Sequence, residues 1–349
     1  MSKGKVLLGM SGGVDSSVAA IVLKEQGYEV IGVTMQLFEG GCCNLDSSLD
    51  AKNVCKFLGI PHFIIDFRES FQKYVINDFI CQYKNQRTPN PCIECNKYLK
   101  FGAMYEKAKQ LGCNFIATGH YAKIEYDKTY GQNVLKISNA GKKDQSYVLY
   151  NLPKNMLDKV LFPLGEFHDK AEIREIAAKY HLPVAQKPDS EDICFIPDGN
   201  YKNFLEKHSD IKSKEGNIVL KDGTILGKHK GLYHYTIGQR KGLGIAYKVP
   251  LFVIGFNQEK NEVIVGEEKE LYTKEFWVDD INLLTMEKIE KPLQVEIKIR
   301  YSAKTAPGTI MQYDNKIKVT FDEPQRAITP GQSAVFYKDL VVLGGGIIS

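Results

Sequence analysis

The sequence predicts an α/β protein: a doubly wound parallel sheet, then a small β-rich central domain, then a C-terminal β-barrel domain. Three observations carry that expectation. Up to Thr118, short apolar runs alternate with amphipathic helical segments. A glycine-rich loop separates the first apolar run from the first helix. After Leu205 the pattern changes to short β-rich runs punctuated by Gly and Asp/Asn turns. The domain limits implied are 1–204, 205–272 and 273–349, with Glu267 to Lys274 as a linker.

Each element has its own signal. Lys5 to Met10 is a short apolar strand, and Val14 to Gln26 a helix with Val18, Ile21 and Val22 on one face and Gly27 as its stop. Glu29 to Gln36 is a strand, Leu45 to Leu58 a helix stopped by Gly59, His62 to Asp66 a strand and Glu69 to Tyr83 a helix. An irregular loop with two prolines, Arg87 to Asn96, precedes a helix from Lys97 to Gln110, and Asn114 to Thr118 is the next strand. Lys123 to Asn139 reads as a hairpin insertion. Gln145 to Tyr180 reads as helical, with Asp169 as an N-cap before Ile173, Ile176 and Ala177. Pro183, Pro188 and Pro197 punctuate an irregular stretch that holds Cys194. The β runs that follow are 217–220, 225–230, 252–256 and 263–265, then 293–300, 309–313, 317–321, 333–337 and 341–345.

Composition narrows the class. The chain has 349 residues, 43% hydrophobic and 25% charged, which is ordinary for a folded globular protein and excludes disorder as the main state. No apolar stretch approaches the roughly 18 residues of a membrane span. The N-terminal run passes directly into Ser11-Gly12-Gly13, so it reads as a buried strand and not as a signal or transit peptide, and a cytoplasmic protein is expected. The net charge of +4 permits a polyanionic partner if the excess is clustered. Eight cysteines in such a chain point to metal, cluster or thiol chemistry rather than to a disulfide framework.

Ser11-Gly12-Gly13-Val14-Asp15-Ser16-Ser17 is the strongest local signal. Two glycines let backbone N–H groups close on an anion, and the following helix aims its N-terminal N–H groups and dipole at the same point. Hydroxyls of Ser11, Ser16 and Ser17 add donors, and Asp15 could hold Mg2+ or steer phosphates. The spacing is neither that of a Walker A loop nor that of a dinucleotide fingerprint. A second cluster, Cys92-Ile93-Glu94-Cys95, lies just before a helix, where the dipole favours a thiolate at Cys95. Four-ligand zinc is a weaker reading, because Cys42-Cys43 is unspaced and His62 isolated. Cys55, Cys81 and Cys113 read as small core residues. The basic, aromatic and glycine run from Gly227 to Gly242 suits RNA, with a β-loop holding a few buried tyrosines as the alternative.

SGGVDSS resembles the pyrophosphatase-type loop of ATP enzymes that adenylate a substrate, within an adenine nucleotide alpha-hydrolase-like fold. With RTPNPCIECNKYLKF, ATGHYA, KDQSYVLY, KPDSEDICFIP, the GLYHYTIGQRKGLG run and KIRYSA, spread over almost the whole length, the chain resembles the tRNA-specific 2-thiouridylases. The resemblance implies ATP-dependent thiolation of a wobble uridine. ATP adenylates the 2-carbonyl oxygen, and sulfur then displaces AMP. It implies a nucleotide site at Gly9, Met10, Ser11, Gly12, Gly13, Val14, Asp15 and Ser16, with Met35 and Gly119 at the adenine. It makes Cys95 the nucleophile and Cys194 the persulfide bearer, and places Asn90, Pro91 and Cys92 at the target base. Its tRNA contacts fall on His120, Lys143, Asp144, Gln145, Arg300, Tyr301 and Gln332. Partners implied are tRNA of the Lys, Glu and Gln type and a cysteine desulfurase or sulfur-relay protein. Many family members carry Asp where this chain has Cys92. The substitution leaves two sulfur routes open: the persulfide, or a 4Fe–4S cluster held by Cys92, Cys95 and Cys194 with one iron open to sulfide. A Cys95–Cys194 disulfide is compatible with both. Two rivals remain: another adenylating enzyme, which leaves the cysteines unexplained, and a non-catalytic RNA-binding protein, against which the intact loop argues.

Overall fold

A computed structural model describes residues 2–38, 45–188 and 193–349, with backbone alone for Leu45 and Asp46. The Cys42-Cys43 pair and the acidic stretch 189–192 lie outside the described residues. The chain opens with β1 (Lys5–Gly9), α1 (Val14–Glu25), β2 (Glu29–Gln36), α2 (Leu45–Leu58) and β3 (His62–Asp66). Two helices with π-helical middles follow. In the first, α3 (Arg68–Phe71) passes through 72–76 into α4 (Asn77–Lys84). In the second, α5 (Pro91–Glu94) passes through 95–103 into α6 (Met104–Gln110). Then come β4 (Phe115–Ala117), β5 (Lys123–Asp127), β6 (Gln132–Lys136), β7 (Val160–Leu161), α7 (Lys170–Lys179) and α8 (Tyr201–His208).

The expected parallel sheet forms in the order β3-β2-β1-β4-β7. Its strands alternate their side chains between two apolar layers. Val6, Leu8 and Val30 pack with α1 and α7 residues such as Val18 and Ile173. Leu7, Ile31 and Val33 pack with Phe101 and Met104 of the long second helix. Ligand crevices in such sheets open at the carboxyl ends of the strands, and the loop after β1 lies there.

The central segment is a four-stranded sheet, β10-β11-β8-β9, built from β8 (Gly216–Val219), β9 (Ile225–His229), β10 (Phe252–Asn257) and β11 (Glu262–Gly266). The last strands are β12 (Tyr272–Leu283), β13 (Leu293–Lys298), β14 (Ala306–Tyr313), β15 (Lys316–Arg326), β16 (Ser333–Lys338) and β17 (Val341–Ile348). They run in the order β12-β15-β14-β13-β16-β17, and β12 also pairs with β17, so the barrel closes. The β5–β6 hairpin joins this barrel through β6 and β17, bridging the first and last parts of the chain.

Two expectations are corrected, and one helix lies where none was expected. Residues 145–180 are not one helix: short 3-10 turns at Ser146–Leu149 and Lys154–Met156 lead to β7, and only Lys170–Lys179 is α-helical. Pro153 and Pro163 each remove a backbone donor that a continuous helix would need. Asp169 does cap α7, accepting from the N–H groups of Ala171 and Glu172. The second long helix begins at Pro91 and not at Lys97, so both cysteines of the CxxC lie on it. The segment expected as a linker holds a 3-10 turn, Glu268–Leu271, with a reciprocal Glu267/Glu270 capping box, and β12 starts directly after it. Helix α8 went unrecognised because its apolar face is only Phe204 and Leu205.

Barrel and parallel layer share one core. Tyr147 and Tyr150 are fully buried; the Tyr147 hydroxyl donates to the Ser333 carbonyl at 2.8 Å, and Ser333 Oγ donates to the Tyr150 hydroxyl at 3.1 Å. Gly345 makes room for this contact, since a Cβ there would lie 2.5 Å from the Ala334 carbonyl and 2.8 Å from the Tyr150 ring. Gly345→Ala should therefore lower the thermal midpoint, at an overpacking cost of about 1–3 kcal/mol. Calorimetry beside Gly255→Ala, whose added Cβ meets nothing nearer than 3.9 Å, checks this.

Candidate active site

The loop after β1 needs glycine at one position for two reasons. Gly12 has φ +73, and a Cβ on it would lie 2.2 Å from the Ser47 carbonyl of α2. The turn is held by hydroxyls: Ser16 Oγ accepts from the Ser11 N–H at 3.2 Å and donates to the Gly13 carbonyl at 3.2 Å, and Ser17 Oγ donates to the same carbonyl at 2.8 Å. Among the described residues no side chain caps the start of α1 at Gly13, which leaves first-turn N–H groups for an anion. The strand-end segment Thr118-Gly119-His120 closes the other side. A Cβ on Gly119 would lie 2.9 Å from the Ser16 nitrogen, so glycine permits the close approach.

Four charged or polar side chains that the sequence reading left aside converge here. Asp15 Oδ1 accepts from the Tyr121 hydroxyl and from Lys170 Nζ, both at 2.6 Å. Lys187 Nζ donates to Asp50 Oδ2 at 2.7 Å and to the Gly12 carbonyl at 3.1 Å. The signals available were the lysine directly after the Asp169 cap and the lysine opening the KPDSEDICFIP motif. His120 is buried, with Nδ1 2.7 Å from Thr118 Oγ1 and Nε2 3.4 Å from Lys100 Nζ. Burial, then the Lys100 ammonium, pushes its pKa well below the usual imidazole range, so it is neutral at pH 7.

The CxxC segment is placed by a helix start. Asn90 is the N-cap, its Oδ1 accepting from the Cys92 N–H at 3.1 Å, and Pro91 occupies the first helical position. Cys92 is exposed and Cys95, three residues on, is buried. Cys194 is half-buried among Phe71, Phe79, Phe195 and Ile196. A cavity of about 300 Å³ has Ser11, Asp15 and Ser16 in its wall together with Cys92, Cys95 and Cys194. Met35 and Gly119 line it too. The remaining described cysteines lie elsewhere. Cys55 and Cys113 are buried, and burial pushes the Cys55 thiol up to about 12. Cys81 is exposed, against the expectation of a core residue, because it sits on the outer face of α4.

The residues expected to touch tRNA divide into two groups. Lys143, Gln145, Tyr301 and Gln332 line a wider cavity of about 850 Å³ that also holds Ser11, Asp15 and Cys92. His120 lines both cavities. Asp144 and Arg300 are engaged inside the fold. The Asp144 carboxylate accepts from the backbone and hydroxyls of Ser138 and Ser146. The Arg300 guanidinium donates to the carbonyls of Ile237 and Ala327, bracing the central segment against the barrel. Gln332 Nε2 donates to the Thr88 carbonyl at 2.7 Å, and Arg87 donates to the Ile348 carbonyl at 2.9 Å, so the barrel holds the segment leading to Asn90. In the 227–242 run, Tyr233 and Tyr235 are buried and His229 is bonded to the Asn261 carbonyl. These rings form core; Lys228, Lys230, Arg240 and Lys241 are the exposed part.

Among the described residues no three His, Cys, Asp or Glu side chains converge on a single metal ion. Three thiols around one cavity still match the donor set of an iron–sulfur cluster, whose irons are spread over several ångströms.

A nucleotide-type α/β layer with a glycine-serine anion loop, thiols in the same cavity and a closed barrel braced behind them defines a loop-and-thiol enzyme class. Family models agree with that layout. The tRNA methyl transferase HUP domain matches residues 4–198, the tRNA methyl transferase PRC-barrel domain 202–267 and the aminomethyltransferase beta-barrel domain 273–348. The chain is 51% identical to the tRNA-specific 2-thiouridylase MnmA of Clostridioides difficile, over 99% of this chain and 98% of that one. It is 50% identical to that of Acetivibrio thermocellus, over the full length of both. A 4-thiouridine synthetase solved with RNA and ATP is 18% identical, with a TM-score of 0.39 over 58% of this chain and 50% of that one, too slight a likeness to bear on function. The chain belongs to the tRNA-specific 2-thiouridylase family.

The buried imidazole has a measurable consequence. Its folded pKa lies below the unfolded value of 6.5, so the unfolded chain binds a proton that the folded one refuses. The stability contribution is full above pH 6.5 and falls as the pH drops below it. Urea denaturation from pH 7.5 down to about 5 should show this loss in the wild type, and His120→Asn should flatten it.

Proposed function

We propose that this protein uses ATP to convert the 2-carbonyl of a tRNA wobble uridine to a thiocarbonyl. The observation that carries the reading is the shared cavity: the anion loop at Ser11, Asp15 and Ser16 and the thiols of Cys92, Cys95 and Cys194 line the same space. Methyl transfer, the activity in the family models' names, requires neither feature.

The chemistry runs in two displacements. The uridine O2 attacks the α-phosphorus of ATP, the bond from that phosphorus to the bridging oxygen breaks with its electron pair leaving on pyrophosphate, and N3 gives up its proton to solvent, regaining one from solvent once the thiocarbonyl has formed. A urea-like carbonyl carbon is thereby made electrophilic, with AMP as leaving group. Mg2+ would neutralise charge on the ATP phosphates; before nucleotide binds, Asp15 accepts from Lys170 and Tyr121. Neutral His120 beside Lys100 offers hydrogen bonds without adding charge. In the persulfide route the outer sulfur on Cys194 attacks C2 and AMP departs. The Cys95 thiolate then attacks Cys194 Sγ, the S–S bond breaks toward the base, and a Cys95–Cys194 disulfide remains for an external thiol to reduce. Sulfur reaches Cys194 from a desulfurase or relay protein.

Cys92 favours a second sulfur route, because it shares the cavity with the other two thiols. A 4Fe–4S cluster held by Cys92, Cys95 and Cys194 would present an open iron to hydrosulfide when bound. The wobble base must leave its stack to enter the crevice, at a cost of a few kcal/mol. Lys, Glu and Gln tRNAs are the expected substrates and the cytoplasm the expected location.

Cys95→Ala and Cys194→Ser should abolish thiolation of unmodified tRNA while tRNA binding persists. Full thiolation by either variant would overturn the assignment. Anaerobic purification with iron and sulfide counts separates the routes: about four irons per chain, lost with activity in Cys92→Ala, supports the cluster. An iron-free protein active with a persulfide donor supports the persulfide.

A further inference from the structure

Two ammonium groups at the anion loop come from outside it. Lys170 is the first residue of α7, directly after its Asp169 cap. A cation there opposes the helix dipole, and the first turn of a helix favours acidic residues instead. Its Nζ nonetheless reaches Asp15 at 2.6 Å, with the side chain only 16% exposed. Lys187 approaches Gly12 and Asp50 of the loop's surroundings, as described above. The same helix secures it. Arg174, one turn after Lys170, donates to the carbonyls of Ala185 at 3.1 Å and Lys187 at 3.2 Å. One helix face thus delivers the first ammonium group and fixes the backbone that carries the second. Both lysines line the wider cavity with Ser11, Gly13 and Asp15.

We propose that Lys170 and Lys187 form a cationic clamp on the β- and γ-phosphates of ATP, resting on Asp15 and Asp50 until the nucleotide binds. The inference deepens the ATP-dependent reading and rests on it. A triphosphate carries more negative charge than a carboxylate and offers more acceptor oxygens, so it can draw both ammonium groups from their resting partners. As the bond between the α-phosphorus and the bridging oxygen breaks, the electron pair moves onto pyrophosphate. Ammonium groups already at those oxygens interact more strongly with the leaving group than with bound ATP, which favours the transition state. Lys170 and Lys187 touch the phosphates in this scheme, and Arg174 is a positioning residue for Lys187.

The test uses the full-length protein with inorganic pyrophosphate and AMP as separate calorimetric probes. Lys170→Met and Lys187→Met should each weaken pyrophosphate binding by about tenfold or more while AMP affinity stays within about twofold. Lys→Arg at each position should recover most of the loss. Arg174→Met should reproduce part of the Lys187→Met defect for pyrophosphate alone. If a methionine variant does not fold, Lys→Gln at the same position carries the comparison. An equal loss for both probes would mean that the ion pairs only hold the loop together, and unchanged pyrophosphate binding would remove the lysines from the site. Either result overturns the clamp. A wild-type protein that binds neither ATP nor pyrophosphate overturns the ATP-dependent reading instead.

Discussion

The seating of Tyr147 and Tyr150 against the glycine-rich last strand is the contact on which the rest of the molecule depends. Both rings are fully buried, and both hydroxyls find partners on Ser333. A buried hydroxyl without a partner carries a desolvation penalty of about 1–3 kcal/mol, so the two bonds hold the barrel in one register on the α/β layer. From that register follow the Gln332–Thr88 and Arg87–Ile348 bonds. They in turn set the entry angle of Asn90 and Pro91, and hence where Cys92 and Cys95 emerge. The barrel therefore acts on the chemistry at a distance, as the back wall of the helix that carries the thiols.

The electrostatics of the crevice follow from a different constraint. Lys170 and Lys187 sit beside carboxylates and Lys100 beside a neutral imidazole. Paired this way, a basic pocket stays intact without a ligand, and its charges are available to an anion able to outbid a carboxylate. His120 contributes by staying uncharged: a second cation next to Lys100 in a buried site would repel it. The exposed lysines of the central segment are a separate, solvated feature.

Much of the site was legible because it is local. The strand–loop–helix at Ser11 to Ser17 depends on residues adjacent in sequence, and glycine there has a direct steric reason. The Asn-Pro pair before Cys92 is also a local helix-start signal, which the two prolines disguised as loop. Other features were illegible for physical reasons. The aromatic run at 227–242 looks the same whether its rings stack on a base or fill a core; only the packing around Tyr233 and Tyr235 distinguishes them. Asp144 and Arg300 have the residue types of surface contacts, and the sequence does not show that both also bond to tertiary neighbours.

By itself the sequence determined the order of the layers, the anion loop and the closing β segment. Those depend on periodicity, glycine and proline, which act over a few residues. Only the tertiary structure decided that the β5–β6 hairpin belongs to the barrel, that Tyr150 needs Gly345, and that Lys170 and Lys187 reach the anion loop. Each joins positions more than a hundred residues apart. Such pairings are set by how whole layers pack, and no local pattern encodes them.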